Sequence, residues 1–166
     1  MRWILDACTL IYLVKANLFK TFMHVVVNPV VIDSSVFQEV INEGKEHQHS
    51  DAYEAESLLN EFHIPVISID VSSELFRFVD PGETSCYILG KEEGICMTSD
   101  DRAYRKFYQN NLNAMRIDSF FFLKFQKNIL TKIEFLEILN KLESINATKP
   151  KSVLFYLHKI QNIEED

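Results

Sequence analysis

A chain of 166 residues with 47% apolar and 25% charged side chains is long enough to bury one full core and too apolar to stay disordered. Its formal net charge of −7 excludes a nucleic-acid binder that works by bulk positive charge. Any such role has to come from a local basic patch, or from metal ions that invert the sign of an acidic site. Four glycines and four prolines are too few for a repetitive all-β fold with many tight turns.

The elements follow in chain order. Met1–Leu5 reads as a strand. Thr9–Phe19 carries Leu10, Ile11, Leu13, Val14 and Leu18 at helical spacing. The β-branched run HVVVNPVVID (24–33) is split by Pro29, which predicts a strand or extended connection rather than a central strand. Ser34 or Ser35 is expected to cap a helix through Val36, Val40 and Ile41, with Ser35-Val36-Phe37-Gln38 matching a capping box and Gly44 as its stop. EGKEHQHS (43–50) is polar and loop-like. Its His47 and His49 stand two apart with no partner motif, so they read as surface residues rather than metal ligands.

Asp51–Phe62 is predicted as a surface helix with Tyr53, Ala55, Leu58, Leu59 and Phe62 inward, and PVISI (65–69) as a strand. Pro81-Gly82 precedes a helix opened by Glu83. ICMT (95–98) is a strand that ends at Ser99-Asp100-Asp101, and a helix with Ala103, Tyr104 and Phe107 follows. Ala114–Ile117 is a short strand, Ser119–Lys127 an aromatic cluster, and Thr131 the cap of KIEFLEILNKL. Pro150 marks the last break before SVLFYLHKI, a helix or strand. Alternating strands and helices make the class α/β with a mostly parallel sheet. No linker or repeat interrupts the chain, which is read as one domain over 1–166.

Three cysteines, Cys8, Cys86 and Cys96, lie in apolar runs with no CxxC. They read as small buried residues of a protein in a reducing cytoplasm. Asp6 interrupts the first apolar run, so no signal peptide is expected. The longest charge-poor run, His24 to Ile32, is too short to span a bilayer.

Carboxylates recur where strands end. Asp6 follows the first strand and Asp100 and Asp101 the third, while Glu39 and Glu83 lie in the first turns of helices. A parallel sheet with crossover helices brings such positions toward one edge, where ligands bind in open α/β folds. Acids in a first turn also favour the helix dipole, a purely structural role. Clustered carboxylates repel unless a divalent cation joins them, and Mg²⁺ and Mn²⁺ take such hard oxygen ligands. One or two such ions can activate water against a phosphodiester.

The segments ILDACTLIYL, VFQEVINEG, DPGETSCYILGKEEG and ICMTSDDRAYRKF, in this order, resemble the PIN domain, the metal-dependent ribonuclease fold of VapC-type toxins. IDSFFFLKFQKNILTKIEFLEILNKL looks like the C-terminal half of a PIN subgroup with a GE pair before its central helix. The likeness covers about 1–143 and leaves 144–166 as a C-terminal extension. It implies a PIN-like α/β/α sandwich and a cytoplasmic, Mg²⁺- or Mn²⁺-dependent endoribonuclease. Asp6, Glu39, Glu83 and the Asp100/Asp101 pair would be its catalytic acids. Asp6, Asp100 and Asp101 would hold the metal, with Thr9 as the small polar residue after the first acid. Arg102, Arg105 and Lys106 follow at helical spacing and would hold the RNA backbone.

A toxin of this kind has a protein antitoxin as partner, and a homodimer is a further partner compatible with FFFLKF; a membrane is not. Two other readings compete: a non-catalytic PIN-like interaction module and a DNA-directed metal-dependent nuclease. A haloacid-dehalogenase-type phosphatase also begins with an aspartate after its first strand. It needs D-x-D-x-T, whereas this chain reads Asp6-Ala7-Cys8-Thr9.

Overall fold

The buried run RWIL forms the first strand, β1 (Arg2–Leu5), and the neighbouring strands pair with it by burying apolar side chains on both faces. The computed structural model describes residues 1–74, 80–92 and 94–165. Among them, β1, β2 (Val30–Asp33), β3 (Val66–Ile67), β4 (Gly94–Met97) and β5 (Ala114–Met115) make one sheet in the order β3-β2-β1-β4-β5. Every pairing is parallel, with Ile4 opposite Val31 on one side and Cys96 on the other.

The helices supply the crossovers that parallel strands need. They are α1 (Ala7–Lys15), α2 (Phe19–Val25), α3 (Ser34–Phe37), α4 (Ser50–Glu61), α5 (Pro81–Lys91) and α6 (Asp101–Gln109). Ile4, Val31 and Cys96 pack with Cys86, Leu89, Ala103 and Phe107 of α5 and α6. Leu5, Ile32 and Met97, next in the alternation, are fully buried as well. Helices therefore cover both faces, giving the expected PIN-like α/β/α sandwich.

Pro29 does not keep β2 out of the interior. It sits one residue before the strand, where its missing N–H is not needed, and its carbonyl accepts a 2.8 Å bond from Trp3 N. The helix after β2 is capped by Asp33 rather than by Ser34 or Ser35, through a 2.7 Å bond from Ser35 N to Asp33 Oδ1. Gly44 does not stop it. The run passes through a π-helical turn, Gln38–Glu43, and a last α turn, Gly44–Glu46. Gly44 is needed for packing, because a Cβ there would lie 2.8 Å from Ala52 Cβ on α4. On α4 itself, Tyr53 faces outward at 57% exposure while Ala52 takes the inward place.

The helix expected over 9–19 stops at Lys15. Asn17 takes φ 52°, Asn17 N bonds Val14 O, and Leu18 N bonds Leu13 O. This is a Schellman ending. The same pair of bonds recurs around Gln48, His63, Asn111, Asn128 and Asn146, all with positive φ. A chain with four glycines thus ends its helices largely with asparagine, the residue that best tolerates the left-handed region after glycine.

The chain divides into two compact units, Met1–Ile117 and Asp118–Asp166. The second contains α7 (Ile117–Gln126, whose first residue belongs to the other unit), α8 (Lys132–Ser144) and α9 (Pro150–Glu165). Thr131 and Glu134 form a capping box at α8. Phe122, Phe125, Phe135 and Tyr156 form an aromatic cluster with Phe122–Tyr156 centroids 5.0 Å apart, and the hydroxyls of Ser119 and Tyr156 lie 2.9 Å apart. Among the described residues, no helix is long and apolar enough to cross a membrane.

Gly94 is the tightest point of the sheet. A Cβ there would fall 2.2 Å from Ile4 Cδ1 and 3.1 Å from both Gly90 Cα and Leu89 O. Gly94→Ala is expected to destabilise the protein by about 1–3 kcal/mol, the usual range for overpacking. Thermal melting checks this, and an unchanged Tm would contradict the contact.

Candidate active site

A parallel sheet directs the N-termini of the following helices to its carboxyl edge, and in this chain aspartates cap them. Asp6 caps α1, with Oδ1 accepting from Thr9 N at 2.8 Å. Asp80 caps α5, with Oδ1 accepting from Glu83 N at 2.8 Å. Asp100 caps α6, with Oδ1 accepting from Arg102 N at 2.8 Å and Ala103 N at 2.7 Å. Each carboxylate uses one oxygen on its helix, where the dipole favours negative charge.

These three caps line a single hollow of about 160 Å³ together with Glu39, Glu83 and Cys8. Glu39 enters from the π-helical turn after α3, where wider winding displaces side chains from regular α spacing. Asp6, Glu39, Glu83 and Asp100, expected from sequence, are therefore brought to one pocket. Asp101 is not among its lining residues. Its carboxylate pairs with Arg116, whose guanidinium lies 4.8 Å from the Tyr104 ring centre. Between the two neighbouring aspartates, Asp100 is the one that faces the pocket.

Thr9 does not meet the pocket either. It is fully buried, and its hydroxyl donates to Met97 O at 2.9 Å. Cys8 holds the place expected for it. The thiol donates to both Asp6 oxygens at 3.1 Å, so this partly buried cysteine lines the pocket rather than sitting in the core as expected. Burial, and then the Asp6 charge, push the Cys8 thiol far above its usual range, so it stays protonated. Arg102 and Arg105 are exposed on α6. Lys106 is engaged instead by Glu83, Nζ to Oε2 at 2.6 Å, with both side chains about one-fifth exposed.

Two residues escaped the sequence reading. Asp80 stands at the end of a stretch where Pro81-Gly82 already marks a helix start, and D-P-G-E is a recognisable N-cap signal. Asp33 closes β2 and is 1% exposed. Its Oδ1 accepts from Ser35 N and Ser35 Oγ, whereas Oδ2 has no hydrogen-bond partner among the described residues. The Ser35 hydroxyl lies 3.4 Å from that of Ser85. Ser35 gives its hydroxyl hydrogen to Asp33 and Ser85 gives its own to Gly82 O at 2.9 Å, so α3 and α5 meet there in a contact.

The electrostatics are those of an acid-rich pocket in which Lys106 offsets the Glu83 charge. Burial pushes the Asp6 carboxyl upward, opposed by hydrogen bonds from Thr98 and Thr9. Glu39 is also raised, first by desolvation and then by the charges of Asp80, Glu43 and Asp6. The donors are hard carboxylate oxygens, which suit Mg²⁺ or Mn²⁺. As the side chains stand, no three His, Cys, Asp or Glu among the described residues converge closely enough to enclose an ion.

An all-parallel sheet with an acid-lined pocket at its carboxyl edge defines an α/β protein whose candidate site is built of hard oxygen donors. More narrowly, the chain belongs to the PIN-domain family, whose sequence profile matches residues 2–116. The matched region ends where the first compact unit ends. Comparison with curated proteins finds no match. Among solved structures, the chain is similar to a domain of a functionally unknown protein from Methanocaldococcus jannaschii DSM 2661. The identity is 17% and the TM-score 0.48, over 70% of this chain and 90% of that one.

A raised carboxyl pKa means that the folded protein holds a proton that the unfolded chain has released. Stability then falls as pH rises from the ordinary aspartate value of 3.8 toward the raised one. Asn can keep the α1 cap without the charge. In chelator, Asp6→Asn is therefore expected to match wild type below the ordinary aspartate value and to gain in Tm over wild type as pH rises above it. Melting curves across pH check this, and a variant less stable at neutral pH would contradict it.

Proposed function

We propose that this chain is a divalent-cation-dependent endoribonuclease, and that the hollow lined by Asp6, Glu39, Asp80, Glu83 and Asp100 is where it cuts. One observation carries the reading: carboxylates from separate elements line one pocket at the carboxyl edge of a parallel sheet, with no basic side chain among its lining residues. Lys106, outside the lining, pairs with Glu83.

A bound Mg²⁺ or Mn²⁺ would let these carboxylates stay ionised together and would polarise both the phosphodiester and the attacking water. Asp6 and Asp100 are the holding residues, because each is fixed by its helix N-terminus in the lining of the hollow. Glu39, whose carboxyl binds protons more readily than an ordinary glutamate, suits the role of taking the proton from the attacking water. Glu83 exchanges its Lys106 partner for the reaction centre, which releases the Lys106 ammonium toward the phosphate. Arg102 and Arg105, exposed one turn apart on α6, are suited to the neighbouring backbone phosphates. Asp101 supports α6 through Arg116 and is not a ligand in this reading.

The finer reading is a VapC-like toxin whose antitoxin inserts a segment at the acids. It is supported by the PIN-domain match over residues 2–116 and by the likeness of the four sequence segments to VapC-type toxins. A non-catalytic PIN-fold interaction module is the second reading. It is favoured by the Lys106–Glu83 pair and by the separation of the acids.

The deciding assay incubates the protein with a mixed single-stranded RNA pool, and in parallel with single-stranded DNA, in Mg²⁺ or Mn²⁺. Cleavage of RNA that stops in chelator and falls at least about 100-fold in Asp6→Asn is the expected outcome, the loss typical of a removed electrostatic contact to the reacting centre. Asp101→Asn is expected to stay within a few-fold of wild type. Cutting that persists in chelator would contradict the mechanism, preference for DNA would move the substrate class, and no cutting at all would favour the interaction module.

A further inference from the structure

A second hollow, of about 250 Å³, adjoins the acid pocket and shares Glu39 with it as a common wall. It is smaller than the roughly 300–1,000 Å³ of sites for drug-sized ligands, and suits a single ring system. Lys15, Glu43, His47, His49 and Asp51 stand around it. The two imidazoles lie parallel, with centroids 6.1 Å apart and planes at 24°. Gln48 between them takes φ 57°, which turns the chain so that both exposed rings face the same way. His47 Nδ1 lies 2.7 Å from Glu43 O. A carbonyl only accepts, so Nδ1 carries the hydrogen and the ring is fixed in place. The floor is the close approach of Gly44 to Ala52, which leaves no room for a side chain.

We infer that this hollow is the base-recognition subsite for a nucleotide flanking the scissile phosphate, with guanine as the base it takes. The inference rests on the ribonuclease reading and names the specificity of the same site. Glu39 joins the two hollows, so a chain of nucleotides whose phosphate lies at Asp6 and Asp100 has its next base at His47 and His49. Imidazole faces stack bases without regard to sequence. Selectivity comes from the acids. An ionised carboxylate is acceptor-only and accepts two parallel N–H bonds, which guanine presents along its N1–N2 edge and uracil does not. Glu43 is the residue for this, since Asp51 is already drawn to Lys15 at 3.6 Å. The acidity of the hollow argues against a phosphate there. No three of its His and acidic side chains form a metal-holding group among the described residues.

The test uses the intact chain, a His47→Ala/His49→Ala double variant and Glu43→Gln, all checked for folding by circular dichroism. One arm cuts a random-sequence RNA pool in Mn²⁺ and sequences the new ends. The other, in chelator, reads binding of short fluorescent RNAs that differ at one base. Wild type is expected to enrich guanine at one position beside the break. The double variant is expected to bind and cut about tenfold less well whatever the base, the effect of losing a stacking platform. Glu43→Gln is expected to keep binding but lose the preference for guanine. Absence of base enrichment, or enrichment that survives both variants, overturns the subsite. If wild type cuts no RNA, the ribonuclease reading fails, and the chelator arm still decides: guanine-dependent binding that weakens in the double variant and loses its base preference in Glu43→Gln sustains the subsite, and base-independent or absent binding overturns it.

Discussion

The constraint on which the rest depends is the direction of the sheet. Because every strand pair is parallel, the helices that follow β1 and β4 begin at the same edge, and α5 begins there too. Each helix start leaves backbone N–H groups that need acceptors. This chain answers with aspartate at Asp6, Asp33, Asp80 and Asp100. A cap needs one carboxylate oxygen. Asp6, Asp80 and Asp100 all line one hollow, so the requirement that ends one kind of instability creates a concentration of negative charge. The raised Asp6 and Glu39 carboxyls are its cost in the cation-free protein.

Much of this was legible in the sequence because it is local. The buried strand before Asp6, the strand ending at Asp100 and the capping box at Thr131 need only a few neighbouring residues to be read. The errors came where a neighbour one position away decides. Pro29 reads as a strand breaker, but only the residue's own N–H matters, and it lies just outside the ladder. Ser34 and Ser35 look like caps, yet Asp33 precedes them and takes the bond. Asn17 ends α1 in a left-handed turn, a signal present in KAN but outweighed by the apolar spacing that continues to Phe19.

The site divides in the same way. Which acids lie at strand ends is a matter of order along the chain, and Asp6, Glu39, Glu83 and Asp100 were found so. What each side chain touches is not. Nothing adjacent to Asp101 indicates that Arg116, after a different strand, draws its carboxylate away. Thr9 and Cys8 are both small and follow Asp6. Only the helical rotation decides that the hydroxyl turns to Met97 and the thiol to the acid. Lys106 reads as a free cation on a helix face, but Glu83 lies within reach across the pocket.

The central claim is that these capping aspartates form one cation site, and its most direct test is calorimetric titration of the protein with Mn²⁺. The account predicts binding by wild type, loss of that binding in Asp6→Asn and in Asp100→Asn, and binding like wild type in Asp101→Asn. Equal heats for wild type and Asp6→Asn, or loss of binding in Asp101→Asn alone, would contradict it.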